Sequence, residues 1–283
     1  LLEQPQRFSS PRILSDVPFF PQEAYQCGPA ALATVLNASS VEVLPDQLVS
    51  RVYVPEREGS LQIEMLAAPR SFGRLSYQLD PSLGDVLGEV EQGRPVLVMQ
   101  NLGLSWYPRW HYAVIIGYDL QAGELILRSG TIRDYRVGLK VFERTWQRAG
   151  HWAFVVLAPG ELPADPEPSR YFESVAAIEQ VQPGEGVEAA YAAGLEQWPG
   201  NPALGMGLGN LYYSRGELDR AREVYQALLA KNPEYAIAHN NLAQVLLQTG
   251  EHEAALRHAQ EAVRLGGRYA ETYRATLDEL RTR

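Results

Sequence analysis

The chain has 283 residues, of which 46% are hydrophobic and 21% are charged, a globular composition that excludes wholesale disorder. The formal charge of -9 argues against nucleic acid or an anionic membrane surface as the main partner. No apolar run reaches the length of about 18 residues that a transmembrane helix needs, and the chain length predicts about two domains.

Short runs of β-branched residues bounded by Gly or Pro predict strands in the first half of the chain, and two segments there have helical character. The first half is therefore predicted to be α+β. The predicted strands are 95–101, 111–119, 123–130 and 151–159, and the predicted helices are 27–37 and 60–70. Residues 161–169 carry three prolines and three acidic residues, which indicates a linker after a first domain at 12–160.

Residues 170–283 are rich in Ala, Leu and Glu and repeat with a period of about 34 residues. Leu208 aligns with Leu242 and Ala221 with Ala255, and the pattern resembles the tetratricopeptide repeat. We therefore predict an all-α repeat domain whose helix pairs stack on one another. The predicted units are a degenerate repeat at 168–201, clear repeats at 202–235 and 236–268, and a capping helix at 269–282. Such arrays usually present a peptide-binding surface, and Asn210, Asn240 and Asn241 are candidate contacts.

Cys27 is the only cysteine, so an intramolecular disulfide and a multi-cysteine zinc site are excluded. Gly28 and Pro29 follow it, and then come good helix formers, which places Cys27 at a helix N-terminus. There the helix dipole and free amides favour the thiolate that a nucleophile requires. The alternative is a buried cysteine that acts as a small apolar side chain.

Gln22 lies five residues before Cys27, and its side-chain amide is placed to donate to a carbonyl oxygen under attack. The Cys27 backbone N–H would be the second donor of such an oxyanion hole. The alternative is an ordinary polar loop residue.

A cysteine nucleophile needs a base, usually histidine. His111 opens the apolar run HYAVIIGYD, so we expect it at the end of a rigid strand facing a cleft, and His151 is the second choice. Three other histidines fall in the repeats without carboxylate or cysteine companions at ligand spacing. Neither a metal nor a cofactor is predicted.

The order Gln22, Cys27-Gly28-Pro29-Ala30-Ala31-Leu32 and then HYAVIIGYD resembles the bacteriocin-processing, double-glycine leader peptidases, which are papain-like cysteine peptidases. The resemblance covers roughly residues 14–160. It implies an α+β papain-like domain with Cys27 as nucleophile, His111 as base and Gln22 as oxyanion-hole donor. Joined to tetratricopeptide repeats, the whole chain is similar to bacterial stand-alone peptidases of this type.

The third catalytic residue departs from the family pattern, which usually has Asp on the strand after the histidine strand. Here Ser129 occupies that position. A turn at 119–124 would set His111 opposite roughly residues 129–134, a window that also includes Asp134. A serine hydroxyl orients an imidazole but brings no charge to stabilise the imidazolium. Three possibilities stay open: a near-dyad, replacement by Asp134, or binding without cleavage.

Trp106, Tyr107 and Trp110 precede His111. We expect Trp106 and Trp110 to line a substrate groove; the alternatives are that the aromatic residues cover the domain core or face the repeats.

The resulting hypothesis is a cysteine peptidase whose repeats recruit a peptide or protein substrate. A non-catalytic adaptor and an acyl transferase are the alternatives, and neither a nucleic-acid partner nor a transmembrane segment is predicted. The chain starts at Leu1, as it would after removal of a leader. We therefore expect a bacterial cell-envelope location, periplasmic or lipid-anchored, with the cytoplasm as the alternative.

Overall fold

The computed structural model describes residues 7–8, 11–21, 27–57 and 59–282. The chain divides into two compact units, Leu1–Gln182 (unit 1) and Pro183–Arg283 (unit 2). Among the helices of the described ranges, none is both long and apolar enough to cross a membrane.

Unit 1 contains an antiparallel sheet with helices packed against it, the α+β architecture predicted for the first half of the chain. Its strands are β1 (Arg12–Ile13), β2 (Tyr53–Val54), β3 (Gly59–Ser60), β4 (Leu75–Gln78), β5 (Val96–Asn101), β6 (Trp110–Asp119), β7 (Glu124–Ser129), β8 (Ile132–Gly138) and β9 (Ala153–Leu157). Its helices are α1 (Cys27–Ala38), α2 (Pro45–Val52), α3 (Gln62–Ala67), α4 (Leu83–Glu91), α5 (Leu139–Gln147) and α6 (Pro168–Glu179). The main sheet runs β4-β9-β5-β6-β7-β8, with β1 paired to β6, while β2 pairs only with β3.

The core of unit 1 lies between α1 and the central strands. Strands β5, β6 and β9 are short apolar runs buried along most of their length, as strands covered by helices are. Helix α1 contributes Ala31, Leu32, Val35 and Leu36, which pack with Leu97, Val114 and Phe154 of the sheet. This packing sets the N-terminus of α1 beside the beginning of β6.

The hairpin of β6 and β7 turns where the sequence predicts. Asp119 pairs with Glu124, and the Asp119 carboxylate accepts hydrogen bonds from two backbone amides of the turn, each at 3.0 Å. Val114 pairs with Arg128, so Ser129 comes next to residue 113 and lies on the same sheet face as His111.

Helix α6 begins in the predicted linker at 161–169 and continues into residues 170–283, where we predict the repeats, and its contacts group it with unit 1. The reason is that α6 covers the free edge of β4. Ser174 Oγ donates to the Ser76 carbonyl at 3.1 Å, and Arg170 donates to the Gln78 carbonyl at 3.3 Å. The boundary between the units therefore lies after Gln182.

Unit 2 is helical, as the period of about 34 residues predicts. Its helices are α7 (Glu185–Gln197), α8 (Pro202–Ser214), α9 (Leu218–Lys231), α10 (Ala236–Gln248), α11 (His252–Leu265) and α12 (Ala270–Thr282). Helices α8 and α9 form one repeat, α10 and α11 form the next, and α12 packs on the last pair as a cap. Gly209 allows close packing within the first of these repeats, because a Cβ there would lie only 2.7 Å from Cζ of Tyr225.

Candidate active site

Cys27 is the first residue of α1 and is half-buried. The next residue must be small, because a Cβ on Gly28 would lie 2.6 Å from Cβ of Ser60 in β3. Pro29 falls in the first turn, where a backbone N–H has no partner within the helix. The Cys-Gly-Pro sequence therefore starts the helix and lets β3 approach its end, which fixes the position of the thiol.

The protonated form of the Cys27 thiol is favoured in this environment. Burial raises the pKa of the thiol, and the backbone amides of Tyr112 and Gly28, which point at the sulfur, oppose that rise only in part. The sequence analysis expects a stabilised thiolate from the helix start alone. The helix start is present, but burial has the larger effect.

His111 and Ser129 are joined by a hydrogen bond of 2.8 Å between Nε2 and Oγ. Within the described ranges, Nδ1 of His111 has no hydrogen-bond partner. Burial lowers the pKa of His111, and the positive charge of Arg109 lowers it further, so the imidazole is neutral at pH 7. Ser129, which the resemblance places at the third catalytic position, thus contacts the imidazole of His111.

Tyr112 connects the two sides of the site. Its backbone amide faces the Cys27 sulfur, and its hydroxyl donates to the Ser60 carbonyl at 3.0 Å. Its ring packs edge-to-face on Trp152, with centroids 5.7 Å apart. Cys27 therefore lies beside the residue that follows His111. Among the described residues, the sulfur makes no hydrogen bond to the imidazole itself.

Asp134 is not the partner of His111. Its carboxylate is bonded to the guanidinium of Arg128, and the Asp134 side chain is 59% exposed. Arg128 is buried and also donates to the carbonyls of Val17 (2.8 Å) and Arg133 (2.6 Å). The Arg128 side chain therefore ties the segment before α1 to the β7–β8 hairpin, next to Ser129.

His151, the second choice as base, has partners of its own. Its Nε2 contacts a Glu143 carboxylate oxygen at 2.9 Å, and its ring packs edge-on against Trp146. The geometry of unit 1 thus favours His111 over His151.

The loop before His111 exposes its aromatic side chains. Trp106 is 81% exposed and Trp110 is 53% exposed, so neither covers the core. Asn101 orders this loop, because its Oδ1 accepts hydrogen bonds from the amides of Gly103 and Arg109, each at 2.9 Å. The loop that precedes His111 in the chain therefore presents exposed aromatic side chains.

Two further sequence-based expectations meet different outcomes. Gln22 lies outside the described residues, so its role as an oxyanion-hole donor stays a prediction. In the repeats, Asn240 is buried, and Oδ1 of Asn210 already accepts hydrogen bonds from Tyr225 and Asn241. These side chains bond within unit 2, and Asn240 is not available on a peptide-binding surface.

In the described part of the chain, no group of three or more His, Cys, Asp or Glu residues is placed to hold a metal ion.

The side chains whose roles could not be predicted from the sequence are Arg128 and Asn101. A lone arginine in the apolar run of β7 was the available signal for Arg128.

Comparison with known proteins agrees with this architecture. Residues 14–154 match the model of the Peptidase_C39 like family, and residues 177–232 and 206–270 match two tetratricopeptide repeat models. No curated protein matches the chain.

Three solved structures illustrate the similarity. A Bacillus anthracis protein described as a C39-like peptidase is 19% identical with a TM-score of 0.45, covering 53% of this chain and 98% of its own. The peptidase domain of Streptococcus ComA is 18% identical with a TM-score of 0.40, covering 50% and 98%. The Sgt2 TPR domain from Aspergillus fumigatus is 17% identical with a TM-score of 0.38, covering 42% and 79%.

Proposed function

We propose that this chain, which carries a Peptidase_C39-like domain followed by tetratricopeptide repeats, hydrolyses peptide bonds with Cys27 as the nucleophile. The observation that carries the proposal is the hydrogen bond between His111 and Ser129, beside the amide that faces the Cys27 sulfur. This hydrogen bond orients a neutral imidazole in the residue before Tyr112, whose amide faces a thiol at a helix N-terminus, and thiol hydrolysis requires such a base for the thiol.

A serine hydroxyl can donate or accept a hydrogen bond, so we assign the tautomer of His111 as part of the proposal, with Nε2–H as the donor. When Nε2–H donates to Ser129 Oγ, the lone pair of the ring is on Nδ1, which has no other partner in the described part of the chain. Nδ1 is therefore the atom that accepts the thiol proton. Hydrogen bonds between catalytic groups are often long in structures without substrate, so we assign the closing of the sulfur–imidazole contact to substrate binding.

Before the reaction, the Cys27 thiol and the His111 imidazole are both neutral. The Cys27 sulfur attacks the scissile carbonyl carbon while its proton passes to Nδ1 of His111. The Cys27 N–H and Gln22 donate to the oxyanion, and His111 returns the proton to the leaving amine, which leaves a thioester on Cys27. Water then attacks the thioester carbonyl, loses one proton to His111, and the acid product departs as that proton returns to the sulfur.

Ser129 orients the imidazole but leaves the imidazolium without a neighbouring negative charge. Asp134 does not supply that charge, because it pairs with Arg128. We therefore assign the enzyme a near-dyad mechanism, slower than that of a domain with Asp at the third position.

Substrate capture is divided between two surfaces. Trp106 and Trp110 are exposed on the segment that leads into His111, and we assign to them the hydrophobic side chains that flank the cleaved bond. The tetratricopeptide repeats bind a protein or an extended peptide, the usual role of such arrays.

The reaction is tested by incubating wild type, Cys27→Ala and Cys27→Ser with a proteome-derived peptide library and reading new termini by mass spectrometry. We expect cleavages that both variants lack and products carrying one added water. A product carrying an added amine would instead identify a transferase. If no cleavage depends on Cys27, the remaining function is that of an adaptor.

The division of substrate capture is tested with a chain that ends at Gln182. It should cleave a short peptide at the wild-type rate and lose efficiency only on a longer protein substrate. An equal loss on both substrates would show that unit 2 supports the fold of unit 1 and is not a recruiting domain.

A further inference from the structure

A cleft lies in unit 1 at the β4 edge of the sheet, where strands β9 and β5 separate β4 from β6. Its volume is about 380 Å³. We call it the edge cleft. Polar residues that line it include Arg70, Ser76, Gln78, Asp80, Arg170 and Glu173. None of them takes part in the proposed hydrolysis.

Arg70 is the uncompensated cation of the edge cleft. Within the described ranges, its guanidinium makes neither an ion pair nor a hydrogen bond. Burial lowers the pKa of Arg70, which shows that the charge has lost part of its hydration. A partly dehydrated guanidinium with all its donors free favours an anionic ligand.

Strand β4 adds backbone donors. Leu79 donates its amide to Ala153 of β9, and because amides alternate along a strand, those of Ser76 and Gln78 point away from β9. Helix α6 satisfies the outward carbonyls of Ser76 and Gln78 but not their amides. Unpaired backbone N–H groups are rare in folded proteins unless water or a ligand binds them.

The hydroxyl of Ser76 is a further unsatisfied group. Its Oγ is buried and has no hydrogen-bond partner in the described part of the chain. Like the amides and Arg70, it has a proton to donate, so the edge cleft combines several donors around one cation. The complementary ligand is an acceptor with negative charge.

The charge balance selects the kind of anion. Asp80 is already paired with Arg170 at 2.7 Å, which leaves Arg70 as the lining cation without an ion pair among the described residues. Glu173 stands exposed at the rim, without an ion pair in the described part of the chain. A single carboxylate balances Arg70, whereas a phosphate dianion would be repelled by the two acidic side chains. A ligand ammonium group would in turn be attracted to Glu173.

We propose that the edge cleft binds the free carboxylate of an amino acid or short peptide through Arg70 and the β4 amides, with the ligand's ammonium group toward Glu173. The site is independent of the proposed hydrolysis, since two strands, β9 and β5, lie between it and β6. Its ligand is recognised by its two termini and not by a cleavable bond.

The test is calorimetric titration of the full chain, as Cys27→Ala to prevent turnover, with the dipeptide Ala-Ala. We expect saturable binding that weakens at least about tenfold for the C-terminal amide of Ala-Ala and for Arg70→Gln, because each loses a charge-assisted hydrogen bond. N-acetyl-Ala-Ala and Glu173→Gln should each weaken binding by a few-fold. Inorganic phosphate should bind more weakly than Ala-Ala.

Two controls locate the site. Arg144→Gln removes an exposed arginine of unit 1 whose side chain makes no hydrogen bond or ion pair among the described residues, and it should leave the affinity unchanged. Trp106→Ala should also leave it unchanged, because a loss there would place the dipeptide at the active site. If Arg70→Gln does not fold, Arg70→Lys keeps the charge and should still bind more weakly, because it loses the planar fork.

Several results would overturn the proposal. They are an absence of binding at millimolar dipeptide, equal binding of the amide, phosphate binding at least as tight as that of Ala-Ala, and unchanged affinity in Arg70→Gln.

Discussion

The two units differ in how the chain assembles them. In unit 2 each helix packs mainly on its neighbours in sequence, such as α10 on α11 and α8 on α9. In unit 1 the candidate site brings together residues from three separate places, namely the start of α1, the start of β6 and the end of β7. A repeat period therefore identifies unit 2 from local sequence, whereas the site of unit 1 depends on sheet topology.

The largest expected effect concerns His111, which the topology of unit 1 brings to the site. His111→Ala should lower kcat/KM on a peptide from the library by about 10²–10⁴-fold, the usual contribution of a general base. The matched control is His151→Ala, whose imidazole contacts Glu143. That variant should stay close to wild type, and an equal loss in both variants would contradict the assignment of the base.

Gly209→Ala should destabilise unit 2, because the new Cβ would clash with the Tyr225 ring. We expect a loss of about 1–3 kcal/mol in the free energy of unfolding of unit 2, the usual cost of overpacking. Urea unfolding followed by far-UV circular dichroism measures it. Gly138→Ala is the control, since a Cβ there meets no atom closer than 4.0 Å. Equal stability of the two variants would contradict the packing.

The third prediction concerns the Ser129 side chain. Ser129→Ala should lower kcat/KM about fivefold, because one neutral hydrogen bond to His111 is lost. Ser129→Asp should raise the pKa of His111, since a carboxylate favours the imidazolium. NMR titration of the imidazole measures that change. A pKa of His111 that is unaffected by Ser129→Asp would show that the two side chains are not in contact in solution.

The smallest expected effect is a shift in pH dependence. Burial and the charge of Arg109 lower the pKa of His111, so the acid limb of kcat/KM, where the base is protonated, should lie at lower pH than for an ordinary histidine. Arg109→Gln removes a positive charge, which favours the imidazolium and raises this pKa. The acid limb should therefore move to higher pH. A shift to lower pH would contradict the electrostatic role of Arg109.

Much of the fold could be predicted because the signals are local. The turn between β6 and β7 and the start of α1 at Cys27 follow from short motifs. Helix α6 could not be assigned to its unit, because an amphipathic helix packs equally well on a sheet edge or on another helix. Only its contacts with β4 decide the matter.

The site was predictable as a set of residue types but not in its electrostatics. A helix N-terminus favours a thiolate, yet the burial that raises the pKa of Cys27 depends on β3 and β6 coming together around it. The role of Arg128 was equally hidden, because its partner carbonyl on Val17 lies 111 residues away.

The most direct test of the central claim is intact-mass measurement of the acid-quenched chain during turnover of a peptide from the library. The account predicts a thioester on Cys27 carrying the N-terminal fragment, released by hydroxylamine and formed far more slowly in His111→Ala. Cleavage that continues in Cys27→Ala, with no adduct on the wild-type chain, would contradict it.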